Sequence, residues 1–220
     1  MTTENLWPKE CAMCGKVSAH TKLSSSTEFG PPDMDLRPAE MYRSTISTWI
    51  QRCPYCGFCS GDISEAEEVD KTIVNSPSYQ SQLNDPRFSE LSNSFLCRAM
   101  IENSLGNYQA AGWAALRAAW VMDDRQNVAS AAQCRLRAIK LFLRDFAARR
   151  DSLKEPAKYY VLLIDLHRRT EQFGMAQTLL LEGRLLNLQD NEQQIFDIQN
   201  ELIAKRDARC YTTLGELRNE

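Results

Sequence analysis

Two cysteine pairs constrain this 220-residue chain more than any other feature: Cys11-Ala-Met-Cys14-Gly15 and Cys53-Pro-Tyr-Cys56-Gly57. In a C-x-x-C turn both sulfurs converge on one point. The glycine that follows lets the backbone curl beneath them, so that N–H groups aim at sulfur. Two such knuckles supply four thiolates, a complete tetrahedral shell for zinc with no position left for water or substrate. Cys11, Cys14, Cys53 and Cys56 are therefore expected to hold a structural zinc ion. A lone C-x-x-C can also be a redox pair, usually within a βαβ pattern, and neither pair opens such a unit. Cys59 is a spare thiol, read as a small residue behind the second knuckle. His20 is a weaker spare ligand, read as a solvated loop histidine. Cys97, Cys134 and Cys210 stand alone in helical patterns and read as small buried or half-buried residues.

The rest of the chain divides by composition. Residues 1–62 are rich in Pro, Gly, Ser and Cys and form the zinc-ribbon-like module; residues 63–88 read as a connecting segment. Within the module, Ser44 to Gln51 alternates enough to suggest a strand, with a short helix over Pro38 to Thr48 as the competing reading. Ser64 to Glu67 could cap a short helix. From 89 to 210 glycine and proline nearly vanish and helical periods take over. Helices are expected around Phe95–Leu105, from Tyr108, over Ala129–Arg150, from Pro156, from Phe173, and around Ile195–Leu202. In the third of these, Val128, Ala132, Leu136, Ile139, Leu143 and Phe146 recur at steps of three and four and read as one buried apolar face. The tail from Tyr211 reads as short and frayed. Leu105-Gly106-Asn107-Tyr108-Gln109-Ala110-Ala111 and Thr170-Glu171-Gln172-Phe173-Gly174-Met175-Ala176 share an aromatic-x-x-Ala step about two tetratricopeptide periods apart. The expected fold is mainly α: a small N-terminal zinc-ribbon-like module followed by tetratricopeptide-like antiparallel helix pairs. A plain helical bundle is the alternative.

Net charge is −3, which argues against bulk binding to nucleic acid. The first 60 residues carry six bases and six acids, whereas a phosphate-binding module should be visibly basic. Arg135 to Arg169 concentrates ten bases against four acids. This reads either as a solvated helix face with intrahelical pairs or as a surface for an anionic partner. The longest apolar stretch, Ala110 to Met122, is broken by Arg117 and is too short to span a bilayer. With no apolar signal region, and with cysteines in metal spacing, a cytoplasmic location is expected, without a membrane role.

No catalytic residues are expected. P-loop, G-x-S-x-G, G-x-G-x-x-G and H-E-x-x-H patterns are missing. The segment Asp33, Asp35, Arg37, Glu40, Arg43 could do acid–base work or bind a cation, but reads more simply as Asp–Arg pairs tying down a proline-rich loop. Two function classes remain. One is an adaptor that docks a protein partner on its helical surface. The other is nucleic-acid binding by the zinc module and the basic face.

The N-terminal C-x-x-C-G, the segment Phe29-Gly30-Pro31-Pro32-Asp33-Met34-Asp35-Leu36-Arg37-Pro38-Ala39-Glu40-Met41, and Trp49-Ile50-Gln51-Arg52-Cys53-Pro54-Tyr55-Cys56-Gly57-Phe58 together resemble an uncharacterised bacterial and archaeal family. That family has zinc-ribbon-like knuckles followed by tetratricopeptide-like helices. The resemblance implies Cys11, Cys14, Cys53 and Cys56 as ligand positions, and implies no activity.

Overall fold

The computed structural model describes residues 3–65, 71–149 and 153–218. The chain is mainly helical, with short antiparallel strand pairs near its N-terminus. It falls into two compact units. Residues 1–29 and 40–141 form the first, and residues 30–39 and 142–220 the second.

In the first unit, β1 (Thr3–Glu10) pairs with β2 (Val17–Ser25), with Glu10 opposite Val17 and Trp7 opposite His20. β3 (Glu28–Phe29) pairs with β4 (Glu40–Met41), and β5 (Gln51–Arg52) with β6 (Cys59–Ser60). The strand expected over Ser44–Gln51 is not formed; Arg43–Thr48 is a 3₁₀ helix and only Gln51–Arg52 extends. The reason is local. Thr45 Oγ1 donates to the Tyr42 carbonyl and Thr48 Oγ1 to the Thr45 carbonyl, both at 2.8 Å, which holds the tight turn.

Helix α1 (Lys71–Val74) and helix α2 (Pro77–Leu83) follow. Ser76 caps α2 and Ser89 caps α3 (Glu90–Ser104), each hydroxyl accepting a backbone N–H of the first turn. The helix cap read at Ser64–Glu67 runs into residues 66–70, outside the described residues. α3 packs along α4 (Tyr108–Asp124). Ala111, Ala114, Ala115, Ala118 and Ala119 are all buried there, and their small side chains let the two backbones approach. α5 (Val128–Arg149) is one long helix, as expected.

The buried face of α5 differs from the expected one. Val128, Leu136 and Leu143 remain 79%, 40% and 37% exposed. Of the expected face Ile139 is buried, but the stripe otherwise runs through Ala131, Cys134, Arg135, Ala138, Phe142 and Asp145, its centre turned by about one residue, or roughly 100°. Small residues at 131, 134 and 138 permit close packing. A buried ion pair, with Arg135 Nη1 donating to Asp123 Oδ1 at 2.9 Å, draws a charged position inward. Hydrophobic periodicity is blind to both effects.

The second unit holds the end of α5 with α6 (Pro156–Arg169), α7 (Phe173–Gly183) and α8 (Asp190–Ala204), the last three in mutual contact. Through Arg218, the last described residue, the tail is not frayed. Cys210 and Thr212 are buried, Thr212 bridges Asp33, and Thr213 N–H donates to the Pro32 carbonyl at 2.9 Å.

Four helix ends share one device. Gly106, Gln126, Glu171 and Arg206 have positive φ. The next N–H in each case reaches back five residues, from Asn107 to Glu102, Asn127 to Met122, Gln172 to His167, and Asp207 to Leu202, at 2.8–2.9 Å. This is the Schellman arrangement that satisfies the last carbonyls and turns the chain back. Three of the four left-handed positions carry no glycine, so only the turn at Gly106 advertises itself in sequence.

Candidate metal centre

Each knuckle is the tip of a hairpin. The first joins β1 to β2, and the second joins β5 to β6. Their backbones repeat one pattern. Cys11 N–H donates to the Lys16 carbonyl and Gly15 N–H to the Cys11 carbonyl, at 3.0 and 2.8 Å. Cys53 N–H donates to Phe58 and Gly57 N–H to Cys53, both at 2.9 Å. Gly15 and Gly57 have φ of 71° and 77°, a conformation that an L side chain strains to adopt. The N–H groups of Met13 and Cys14 point at the Cys11 sulfur, and those of Tyr55 and Cys56 at the Cys53 sulfur.

The four sulfurs lie within 4.8 Å of one another. Cys11 to Cys56 and Cys14 to Cys53 are each 3.7 Å. A tetrahedral zinc with metal–sulfur bonds of about 2.3 Å places its ligands about 3.8 Å apart, so the set fits that ion. Cys11 and Cys53 are buried while Cys14 is exposed, which leaves the metal position at the module's surface on one side. Burial and the crowding of its neighbours' thiols push Cys56 upward. Burial also works against Cys53, yet the N–H groups of Cys56 and Tyr55 and the adjacent thiols hold it below the usual range. Four sulfurs this close cannot all ionise without a cation among them.

Residues read only as linker support this centre. Tyr79 of α2, fully buried, donates its hydroxyl to the Gly57 carbonyl at 3.0 Å. Leu83 packs directly against Gly57, so that a Cβ at 57 would collide with its Cδ2. Ala12 N–H donates to the Ile63 carbonyl and Ile63 N–H to Gln51 Oε1, at 2.9 and 3.1 Å, which ties the first knuckle to the strands of the second. Lys9 pairs with Asp62 across the same junction. No motif marks Tyr79 or Ile63, because their role depends on which turn they meet.

The remaining thiols and histidines lie elsewhere. Cys59 is fully buried behind the second knuckle, its thiol donating to the Gly57 carbonyl at 3.3 Å. His20 is no loop residue. It sits on β2, 8% exposed, with Nε2 2.8 Å from Ser18 Oγ. Cys97, Cys134 and Cys210 are buried.

Asp33, Asp35 and Arg37 of the acidic–basic segment belong to the second unit, whereas Glu40 and Arg43 belong to the first, where the Glu40 carboxylate accepts from Ser44 Oγ at 2.6 Å. Asp33, Asp35 and Arg37 are at most 2% exposed. Arg218 Nε donates to Asp33 at 2.9 Å, and Arg169 Nη1 to Asp35 at 3.4 Å. Leu36, at φ 64°, closes the turn between them. Beside them, Arg168 pairs with Asp165 at 2.6 Å, both essentially buried, and donates to the Asp207 and Arg209 carbonyls. Burial pushes the Asp165 carboxyl above its ordinary range, against the pull of Arg168. These carboxylates are committed to arginines that hold a proline-rich loop.

Most bases of the Arg135–Arg169 stretch are likewise engaged. In the first unit Arg135 pairs with Asp123, and Arg137 donates to Gln82 and covers Phe88. In the second, Arg149 pairs with Asp145, Lys158 with Glu155, Arg168 with Asp165 and Arg169 with Asp35. Among the described residues no helix is long and apolar enough to cross a membrane. Compared with family models, curated proteins and solved structures, the chain matches none of them.

Proposed function

We propose that Cys11, Cys14, Cys53 and Cys56 hold zinc as a structural ion, and that the chain works as an adaptor whose tetratricopeptide-like helices dock a protein partner. The closed set of four thiolates supports the first half. When bound, zinc would cross-link the two hairpin tips and contribute folding energy to a module with little core of its own. The observation that carries the second half is the apolar stripe left outside on α5. Within the first unit, Val128 and Leu136 share one side of α5 and stay exposed. Unpartnered apolar stripes at helical spacing are what a helix or groove of another protein covers. Nucleic-acid binding has less support, because most of the bases that would make its footprint are engaged within the chain.

Two measurements test this reading. Metal analysis should return one zinc per chain, and none in Cys53→Ser; a chain that purifies folded without metal overturns the first half. Crosslinking in the native host should recover a partner that is insensitive to nuclease. That partner should be lost from a Val128→Lys, Leu136→Lys double variant whose melting temperature is unchanged. Recovery of nucleic acid, or of partners that vanish with nuclease, overturns the adaptor reading.

A further inference from the structure

Two clefts of about 340 and 360 Å³ open in the first unit where the 3₁₀ segment and β5–β6 meet α3 and α4. They share Trp49, Gly61 and Arg117 as lining. Both volumes lie in the range of small-molecule sites, about 300–1,000 Å³. The walls are aromatic: Tyr42 and Trp49 in one, Phe95 and Trp113 in the other.

The charges around the clefts do not balance. Lys9 is paired with Asp62, and Arg98 with Glu102. Lys22 and Arg117 have no acid partner among the described residues. Arg117 projects from the middle of α4, with its guanidinium over the Trp49 ring at 5.6 Å from the centroid. Its Nε is sealed from solvent with no hydrogen-bond partner. Its terminal nitrogens make no hydrogen bond to the described residues either, but they are not sealed as Nε is. Burial moves Arg117 below its usual range, and only the Tyr42 phenol acts the other way. A half-buried cation without a counter-ion is costly, and an aromatic face returns only part of its lost hydration. Such a group is retained where something else supplies the anion. The planar fork of arginine matches two-oxygen acceptors, carboxylate or phosphate.

We infer that these joined clefts bind a small molecule bearing one carboxylate or phosphate on a flat apolar body. Arg117 would grip the oxyanion, Lys22 would add a second positive charge at the rim, and the aromatic walls would take the body. This goes beyond the adaptor reading and does not depend on it.

The test uses the full chain loaded with metal and three probes of one shape: 1-naphthoate, 1-naphthyl phosphate and the uncharged 1-naphthalenemethanol. Binding is read by calorimetry and by quenching of tryptophan fluorescence, since Trp49 and Trp113 line the site. At least one anionic probe should bind about tenfold or more tightly than the alcohol, the scale of one charge-assisted hydrogen bond. Which anion wins distinguishes carboxylate from phosphate. Arg117→Met should erase the preference while the melting temperature holds or rises, because an uncompensated buried charge has been removed. A merely structural Arg117 would give the opposite pair: a lower melting temperature with probe binding unchanged. Equal binding of all three probes by the wild type, or an anion affinity in Arg117→Met within about twofold of wild type, overturns the inference. Should Arg117→Met fail to fold, the exposed Lys22→Gln variant decides. A several-fold loss of anion affinity supports the site, and an unchanged affinity overturns it.

Discussion

Two irregular segments near the N-terminus are held by opposite chemistries. The knuckles at 11–15 and 53–57 bring four sulfurs within 4.8 Å and suit a cation at their centre. The loop at 30–39, which belongs to the other unit, buries Asp33 and Asp35 against Arg218 and Arg169, next to the buried Asp165–Arg168 pair. Both problems are the same: a Pro- and Gly-rich stretch has too few apolar side chains to fix itself. In the first the positive charge is exogenous, so order depends on metal supply and on thiolate ionisation. In the second the positive charge is covalently part of the chain, so order depends only on folding. Adjacent stretches of sequence should therefore respond independently to the same insult.

The largest expected effect breaks one side of this comparison alone. Cys53→Ser, or removal of metal by a chelator, should unfold the knuckle hairpins, since structural zinc contributes about 10 kcal/mol or more to small modules. Hydrogen exchange should show protection lost over residues 3–25 and 51–60. The Met34 amide, bonded to the Tyr211 carbonyl at 2.9 Å, and the Thr213 amide should stay protected. Loss of protection at both would mean that the metal also holds the loop, and the contrast would fail.

Arg168→Met is the reciprocal experiment. It leaves Asp165 buried and unpaired and removes the donors to the Asp207 and Arg209 carbonyls. A loss of about 3–5 kcal/mol is expected in denaturant unfolding. The Met34 and Thr213 amides should exchange faster while zinc content is unchanged. A variant that also loses its metal would tie the two devices together.

The smallest effect separates the knuckles from each other. Gly15→Ala and Gly57→Ala both strain a positive φ, at a cost of about 1–2 kcal/mol. Only Gly57 is backed by a tightly packed neighbour, Leu83, whereas a Cβ at Gly15 would meet just the Glu10 carboxylate, at an ordinary contact of 3.9 Å. Gly57→Ala should therefore show the greater loss in thermal midpoint and in metal affinity. Equal losses would mean that α2 does not buttress the second knuckle.

The cysteine spacing reached the candidate site without help, because a C-x-x-C-G turn builds its own geometry from five consecutive residues. Helix positions were legible for a similar reason: α4 to α7 begin where periodicity, Gly106 and Pro156 place them, while α3 and α8 begin five residues before the first apolar residue that marked them. The face that each helix buries was less legible. On α5 periodicity was right about Ile139, but it also chose Val128, Leu136 and Leu143 where packing chose Ala131, Cys134 and Ala138, since close approach favours small residues over large apolar ones. The strand read at Ser44–Gln51 failed because threonine hydroxyls can bond back to their own turn, a local option that alternation does not register.

What the sequence by itself determined, then, was whatever is encoded within one turn of chain: the thiolate pairs, the glycines beneath them, and the runs of helix. Tertiary structure decided everything that needs a partner distant in sequence. It chose Arg169 and Arg218 as the counter-ions of Asp35 and Asp33, across 134 and 185 residues. It also left Arg117, which in sequence merely interrupts an apolar run, against Trp49 with no acid paired to it among the described residues. The physical reason is that a charge's meaning lies in its surroundings. Burial and the nearest opposite charge set its energy, and neither is a property of the residues next to it in the chain.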